Sequence, residues 1–142
     1  MRKITIKNLQ KKIPIYPLRI KTTVLKVFAC EGKNLSLDIT VSFVNDKKIR
    51  ELNRKFLNID CPTDVLAFDL SGSGTKNNLC ADLIISADTA AKNAIIYGTS
   101  TQLELCLYAI HGVLHLLGYD DRTLKDSNLM RKKECQYIKQ TQ

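Results

Sequence analysis

Apolar and polar residues change rhythm along this chain, and each change marks an element. Met1 to Lys7 alternates apolar with basic or polar residues at a period of two, which predicts a strand. From Pro17 to Cys30, Leu18, Val24, Leu25, Val27 and Phe28 fall among Arg19, Lys21 and Lys26, a helical spacing that Gly32 ends. Leu35 to Val44 returns to alternation with β-branched residues, which suits a half-buried strand. Asn45 or Asp46 then stands where a helix running to about Phe56 needs its cap. Val65 to Phe68 and Leu83 to Ile85 are short apolar runs that predict central strands, divided by the small polar stretch Ser71 to Asn78. Ser86 to Tyr97 is Ala-rich and helical before Gly98. Thr101 and Glu104 have the spacing of a capping box and launch a helix that Gly118 stops, and a last amphipathic helix begins near Lys125.

Strand, helix, strand, helix, two strands and three helices make an α/β (α+β) domain and not a bundle. The expectation is a small mixed sheet of about four strands packed with about five helices, in a single domain covering residues 1–142. No internal repeat interrupts it.

Composition narrows the function classes. With 142 residues and 44% hydrophobic positions, the chain can bury one core and not two. Twenty-two basic against 14 acidic residues leave a net charge of +8, a positive field that favours a polyanionic partner. The excess is concentrated in the first 55 residues and in Lys125 to Lys139, with few aromatics beside it, so it offers phosphate contacts more readily than base stacking. The five cysteines are odd in number and form no CxxC pair, which excludes a disulfide framework or a zinc ribbon and predicts a reducing, cytoplasmic setting. Cys80 and Cys106 are expected as packed thiols. The N-terminus lacks the apolar segment and cleavage site of a signal peptide. Leu103 to Tyr119, the most apolar stretch, carries Glu104, His111 and His115 and is too short to cross a bilayer, so it reads as a buried helix.

The histidines carry the chemistry. His111 and His115 are the only two in the chain, and their spacing puts both imidazoles on one helical face, one turn apart, where they can share a metal ion. Gly118 lets the chain turn back, so that Asp120 or Asp121 can supply a third ligand. Three protein ligands with an open fourth position is how a catalytic zinc is held. An isolated pair at this spacing also suits core histidines bonded to carbonyls; the helix stop and the Asp-Asp pair beside this one favour the metal. Gly112 stands where an H-E-x-x-H peptidase needs its glutamate, which argues against proteolysis.

His111-Gly-Val-Leu-His115-Leu-Leu-Gly118-Tyr119-Asp120 resembles the H-G-x-L-H-L-x-G-Y-D-H signature of the YbeY family, bacterial metal-dependent endoribonucleases of ribosomal RNA maturation and ribosome quality control. Pro62-Thr63-Asp64-Val65-Leu66-Ala67-Phe68 resembles that family's P-T-D-V-L-S-F, and Asp82-Leu-Ile-Ile-Ser86 its G-D-I-x-I-S, so the likeness spans about Leu35 to Asp121. It implies a small α/β domain with a zincin-like site holding one Zn2+ at the end of a groove. It further implies single-stranded or ribosomal RNA as substrate, 16S rRNA 3′-end maturation, and the small ribosomal subunit and an assembly GTPase as partners.

Four departures fall at functional positions. Asp121 aligns with the third histidine ligand, Ala81 with a glycine, Ala67 with a serine, and Leu57 with a basic residue of the groove. A carboxylate ligates zinc, and two histidines with one carboxylate also suit Fe(II) or another divalent transition metal. Asp120 matches the family's non-ligating aspartate. For RNA hydrolysis, Arg54, Lys55 and Arg122 are the candidate phosphate contacts, while Thr63, Asp64, Asp82 and Asp120 are support residues, Asp82 either bracing the sheet or bonding a ligand histidine. The rival expectation is a weakened or inactive ribosome-associated RNA-binding protein with a structural metal, signalled by Leu57 and Asp121.

Overall fold

In the computed structural model, which describes residues 1–31, 34–72 and 77–141, the elements follow the expected order. They are β1 (Arg2–Asn8), α1 (Pro17–Cys30), β2 (Ser36–Val44), α2 (Asp46–Leu57), β3 (Val65–Asp69), β4 (Asn78–Ser86), α3 (Ala87–Tyr97), α4 (Thr101–Leu116) and α5 (Leu124–Gln140). Gly32, the expected stop of α1, and residues 73–76 of the polar stretch lie outside the described residues.

Local chemistry sets most helix starts. Pro17 opens α1, where its missing N–H is no loss. Of the two candidates for α2, Asn45 is the cap, its side chain accepting from the Lys48 amide at 2.9 Å. The expected capping box of α4 does not form, because the cap lies one residue earlier. Ser100 is the cap, accepting from the Leu103 amide at 3.1 Å, and Thr101 is already helical. Glu104 therefore turns inward, is buried, and accepts a 3.1 Å hydrogen bond from the Thr99 hydroxyl.

The four strands form one sheet in the order β1-β2-β4-β3, with β1, β2 and β4 parallel and β3 antiparallel to β4. Strand β4 starts at Asn78, five residues before the expected apolar run. In that added half Leu79 and Ala81 are buried and the residues between them face the other way, an alternation that the run of Leu83 to Ile85 hides. Cys80 is consequently exposed and not packed, whereas Cys106 is buried as expected.

Alternation divides the sheet into two faces. Leu37, Ile39, Val41 and Phe43 of β2 and Leu83 and Ile85 of β4 join the large core with α1, α4, Ala90 of α3, and Met130 and Tyr137 of α5. The opposite face is thinner: Val44, Leu66, Phe68 and Ile84 pack under Ile49 and Leu52 of α2. No helix among the described residues is long and apolar enough to cross a membrane.

Candidate metal centre

Helix α4 lies on the large core, and its buried side includes Leu105, Ala109, Gly112 and Val113. At Gly112 the helix approaches the sheet closely. A Cβ at that position would stand 2.7 Å from Leu83 Cδ2 and 3.2 Å from Val65 Cγ2, both packed between helix and sheet. A glutamate side chain has no room there, which supports the reading against a peptidase. Alanine alone would cost about 1–3 kcal/mol of overpacking.

His111 and His115 emerge half-buried from the last two turns of α4. Their Nε2 atoms are 3.0 Å apart, and among the described residues neither ring bonds a backbone carbonyl, so they are not core histidines of the carbonyl-bonded kind. The helix then ends in a Schellman turn. Gly118, at φ +100°, donates to the His115 carbonyl, and Tyr119 donates to the Leu114 carbonyl, both at 3.0 Å. That left-handed residue reverses the chain and lays residues 119–121 against the final turn.

Asp121 closes the cluster. Its Oδ2 lies 3.8 Å from His111 Nε2 and 3.7 Å from His115 Nε2, and the three side chains can hold a metal ion. A triangle with these sides has a point about 2 Å from all three corners, the length of zinc–nitrogen and zinc–oxygen bonds. Asp120 is engaged elsewhere. Its Oδ1 accepts from the Asp121 amide at 2.7 Å, and its Oδ2 pairs with Arg122 Nε at 3.2 Å. Asp121 is 49% exposed, so the cluster is open to solvent on that side.

The residue that sequence reasoning missed is Glu134. Its Oε1 meets His111 Nδ1 in a short contact across the interface between α4 and α5. The available signal was its place in the inward stripe of α5, four residues after buried Met130 and three before buried Tyr137. Burial works against charging His111, but the Glu134 hydrogen bond, with the negative charges of Glu134, Asp64 and Asp121, outweighs it and raises the imidazole pKa above its ordinary value.

The loop after Gly118 is held from behind. Glu31, at the end of α1, accepts from the Tyr119 hydroxyl at 2.6 Å, from Lys133 Nζ at 3.2 Å and from the Tyr137 hydroxyl. Burial would raise this carboxyl's pKa, and the three donors instead lower it below its ordinary value.

The remaining sequence candidates are dispersed. Asp64 lies close enough to His111 for its charge to act there, and its Oδ1 accepts from the Val65 amide at 2.8 Å and the Thr63 hydroxyl at 3.3 Å. Asp82 does not reach the histidines. It sits in the middle of β4 with the parity of Ile84, facing α2, while Leu83 faces α4; it shares an apolar recess with Leu52, Phe56, Phe68 and Leu70. Arg54 and Lys55 are exposed in the last turn of α2, where Lys55 Nζ is 5.3 Å from the Phe56 ring centroid; neither pairs with Asp121 or Glu134. Arg122 flanks the cluster but is 86% exposed and bound to Asp120. Leu57, the last residue of α2, is half-exposed.

Comparison with known proteins finds likeness along nearly the whole chain. Residues 5–142 match the family model described as endoribonuclease YbeY. The chain is 34% identical to the endoribonuclease YbeY of Pelotomaculum thermopropionicum over 139 residues, 92% of this chain and 91% of that one. It is 36% identical to that of Desulforamulus reducens over 140 residues, 92% of each. A Thermotoga maritima protein solved in solution superposes with a TM-score of 0.66 at 27% identity, over 98% of this chain and 89% of that one. Likeness on this scale, in sequence and in fold, is the ground on which this chain belongs to the YbeY endoribonuclease family.

Proposed function

We propose that this chain is a metal-dependent endoribonuclease that cuts single-stranded RNA, working as one domain over residues 1–142 and binding one zinc ion through His111, His115 and Asp121. The carrying observation is the triangle of two Nε2 atoms and one Oδ2, in a chain of an endoribonuclease family. Two imidazoles and a carboxylate without a thiolate suit zinc, and they also accept Fe(II) or another divalent transition metal. When bound, such an ion supplies Lewis acidity toward a phosphoryl oxygen and makes water more acidic.

The protein supplies the rest. His111 and His115 offer ring nitrogens from a rigid helix, and Asp121 adds a negative oxygen on the open side, where a strand of RNA has access. Arg122 at the rim, and Arg54 and Lys55 on α2, offer positive charge to backbone phosphates. Thr63 and Asp64 brace the loop beside His111, Asp120 braces the turn that carries Asp121, and Asp82 supports the sheet. The cellular role in this reading is 16S rRNA 3′-end maturation and ribosome quality control in the cytoplasm, alongside the small ribosomal subunit and an assembly GTPase.

The test is elemental analysis of protein purified without chelator, followed by cleavage of a labelled single-stranded RNA by parent and His111→Ala. About one zinc per chain, with cleavage lost in the variant, supports the reading. A second reading, a weakened ribosome-associated RNA-binding protein with a structural metal, is favoured by half-exposed Leu57 where a phosphate-neutralising arginine is expected. RNA binding without cleavage, unchanged in Leu57→Arg with Asp121→His, would select it. Binding that does not weaken as salt rises would point to a non-RNA substrate.

A further inference from the structure

Helix α5 carries Arg131, Lys132 and Lys133 immediately before Glu134. A glutamate in such company ordinarily spends its charge on a neighbouring cation at the surface. Glu134 does not. Among the described residues, the hydrogen bond and the ion pair it forms are both with His111, and its side chain is 17% exposed. Lys133 is turned to Glu31 instead. His115 has no equivalent: among the described residues the one carboxylate within 4 Å of its ring nitrogens is that of Asp121, on the ligand nitrogen Nε2.

We infer that Glu134 is a positioning residue of the metal centre, acting on His111 alone and resting on the metal-binding reading above. An imidazole has two nitrogens, and the partner of one decides the state of the other. With its carboxylate against Nδ1, Glu134 keeps the proton there and leaves the Nε2 lone pair directed at the point shared with His115 and Asp121. The same contact fixes the rotation of the ring, and the added negative charge makes Nε2 a stronger donor. The arrangement also makes α5 part of the centre, since Met130 and Tyr137 on the same stripe seat the helix in the core.

The experiment measures zinc affinity of folded, metal-free parent, Glu134→Gln and Glu134→Ala by competition with a chromophoric chelator, with the visible absorption of the Co2+ forms recorded beside it. Affinity is expected to fall roughly 10–100-fold in Glu134→Ala. Glu134→Gln should fall less, because its amide oxygen still accepts from Nδ1–H without the charge, and both cobalt spectra should shift. Circular dichroism establishes folding, and Glu134→Gln carries the test if the alanine variant does not fold. Equal affinities and unchanged cobalt bands, with only the melting temperature lowered, would overturn the inference and leave Glu134 a packing contact. A parent that takes up no zinc or cobalt would remove the metal centre and this role together.

Discussion

Two carboxylates in this molecule are solvated by protein in nearly the same way and hold different things. Asp46 accepts from the Ser86 and Thr89 hydroxyls and from Lys92 Nζ, each at 2.6 Å, and so ties the start of α2 to the start of α3. Glu31 accepts from two tyrosine hydroxyls and Lys133 Nζ, and so ties the end of α1 to α5 and to the turn beyond α4. In each, burial would raise the carboxyl pKa and the donors lower it. The difference lies in what stands on the far side. Behind Asp46 is scaffold; behind Glu31, two residues past Tyr119, is Asp121. Similar bonding chemistry thus braces scaffold in one place and stands behind the candidate site in the other.

Breaking Glu31 should have the largest effect. Its side chain is 8% exposed, and Glu31→Ala strands two hydroxyls and an ammonium, for an expected loss of about 3 kcal/mol in denaturant unfolding. Zinc affinity should fall with it; an unchanged affinity would mean that the turn holds Asp121 without the clamp. Asp46→Ala comes next, at about 1–2 kcal/mol, since its lysine partner is largely exposed and a solvated ion pair contributes little. Here zinc affinity should match the parent, and a loss would erase the distinction between the two clusters.

Acid sharpens the comparison further. Unfolded, the two groups titrate near their ordinary values of 4.5 and 3.8, and in the fold they stay ionised to lower pH. Their contribution is therefore fully present above those values and is lost as pH falls through the folded ones. The gap in unfolding free energy between parent and Glu31→Gln, or Asp46→Asn, should narrow as pH drops from about 5 toward 3. A constant gap would assign the effect to neutral hydrogen bonding. The smallest change is expected from Arg122→Ala, which touches neither cluster. Stability should stay within about 0.5 kcal/mol, and the salt dependence of RNA binding should flatten by about one phosphate contact.

What was legible in the sequence was whatever neighbouring residues decide. The element order, the Asn45 alternative, the histidine spacing and the turn at Gly118 all depend on side chains within a few positions of one another. The Thr101–Glu104 spacing misled because Ser100, one residue earlier, is an equally good acceptor and captured the Leu103 amide. Asp82 was legible in principle: its neighbour Leu83 belongs under α4, and successive strand residues face opposite sides. Glu134 and Glu31 were not. Their partners lie 23 residues away for Glu134 and 88 to 106 away for Glu31, and only the packing of α1, α4 and α5 brings them together.

All three candidate ligands fall between His111 and Asp121, on one helix end and the turn that follows it. Closing so short a loop costs a denatured chain little entropy. On the metal-binding reading the unfolded protein therefore keeps an appreciable hold on the same ion, and a ligand that binds both states shifts folding only by the difference. Added metal should raise the melting temperature by less than its affinity for the native state implies.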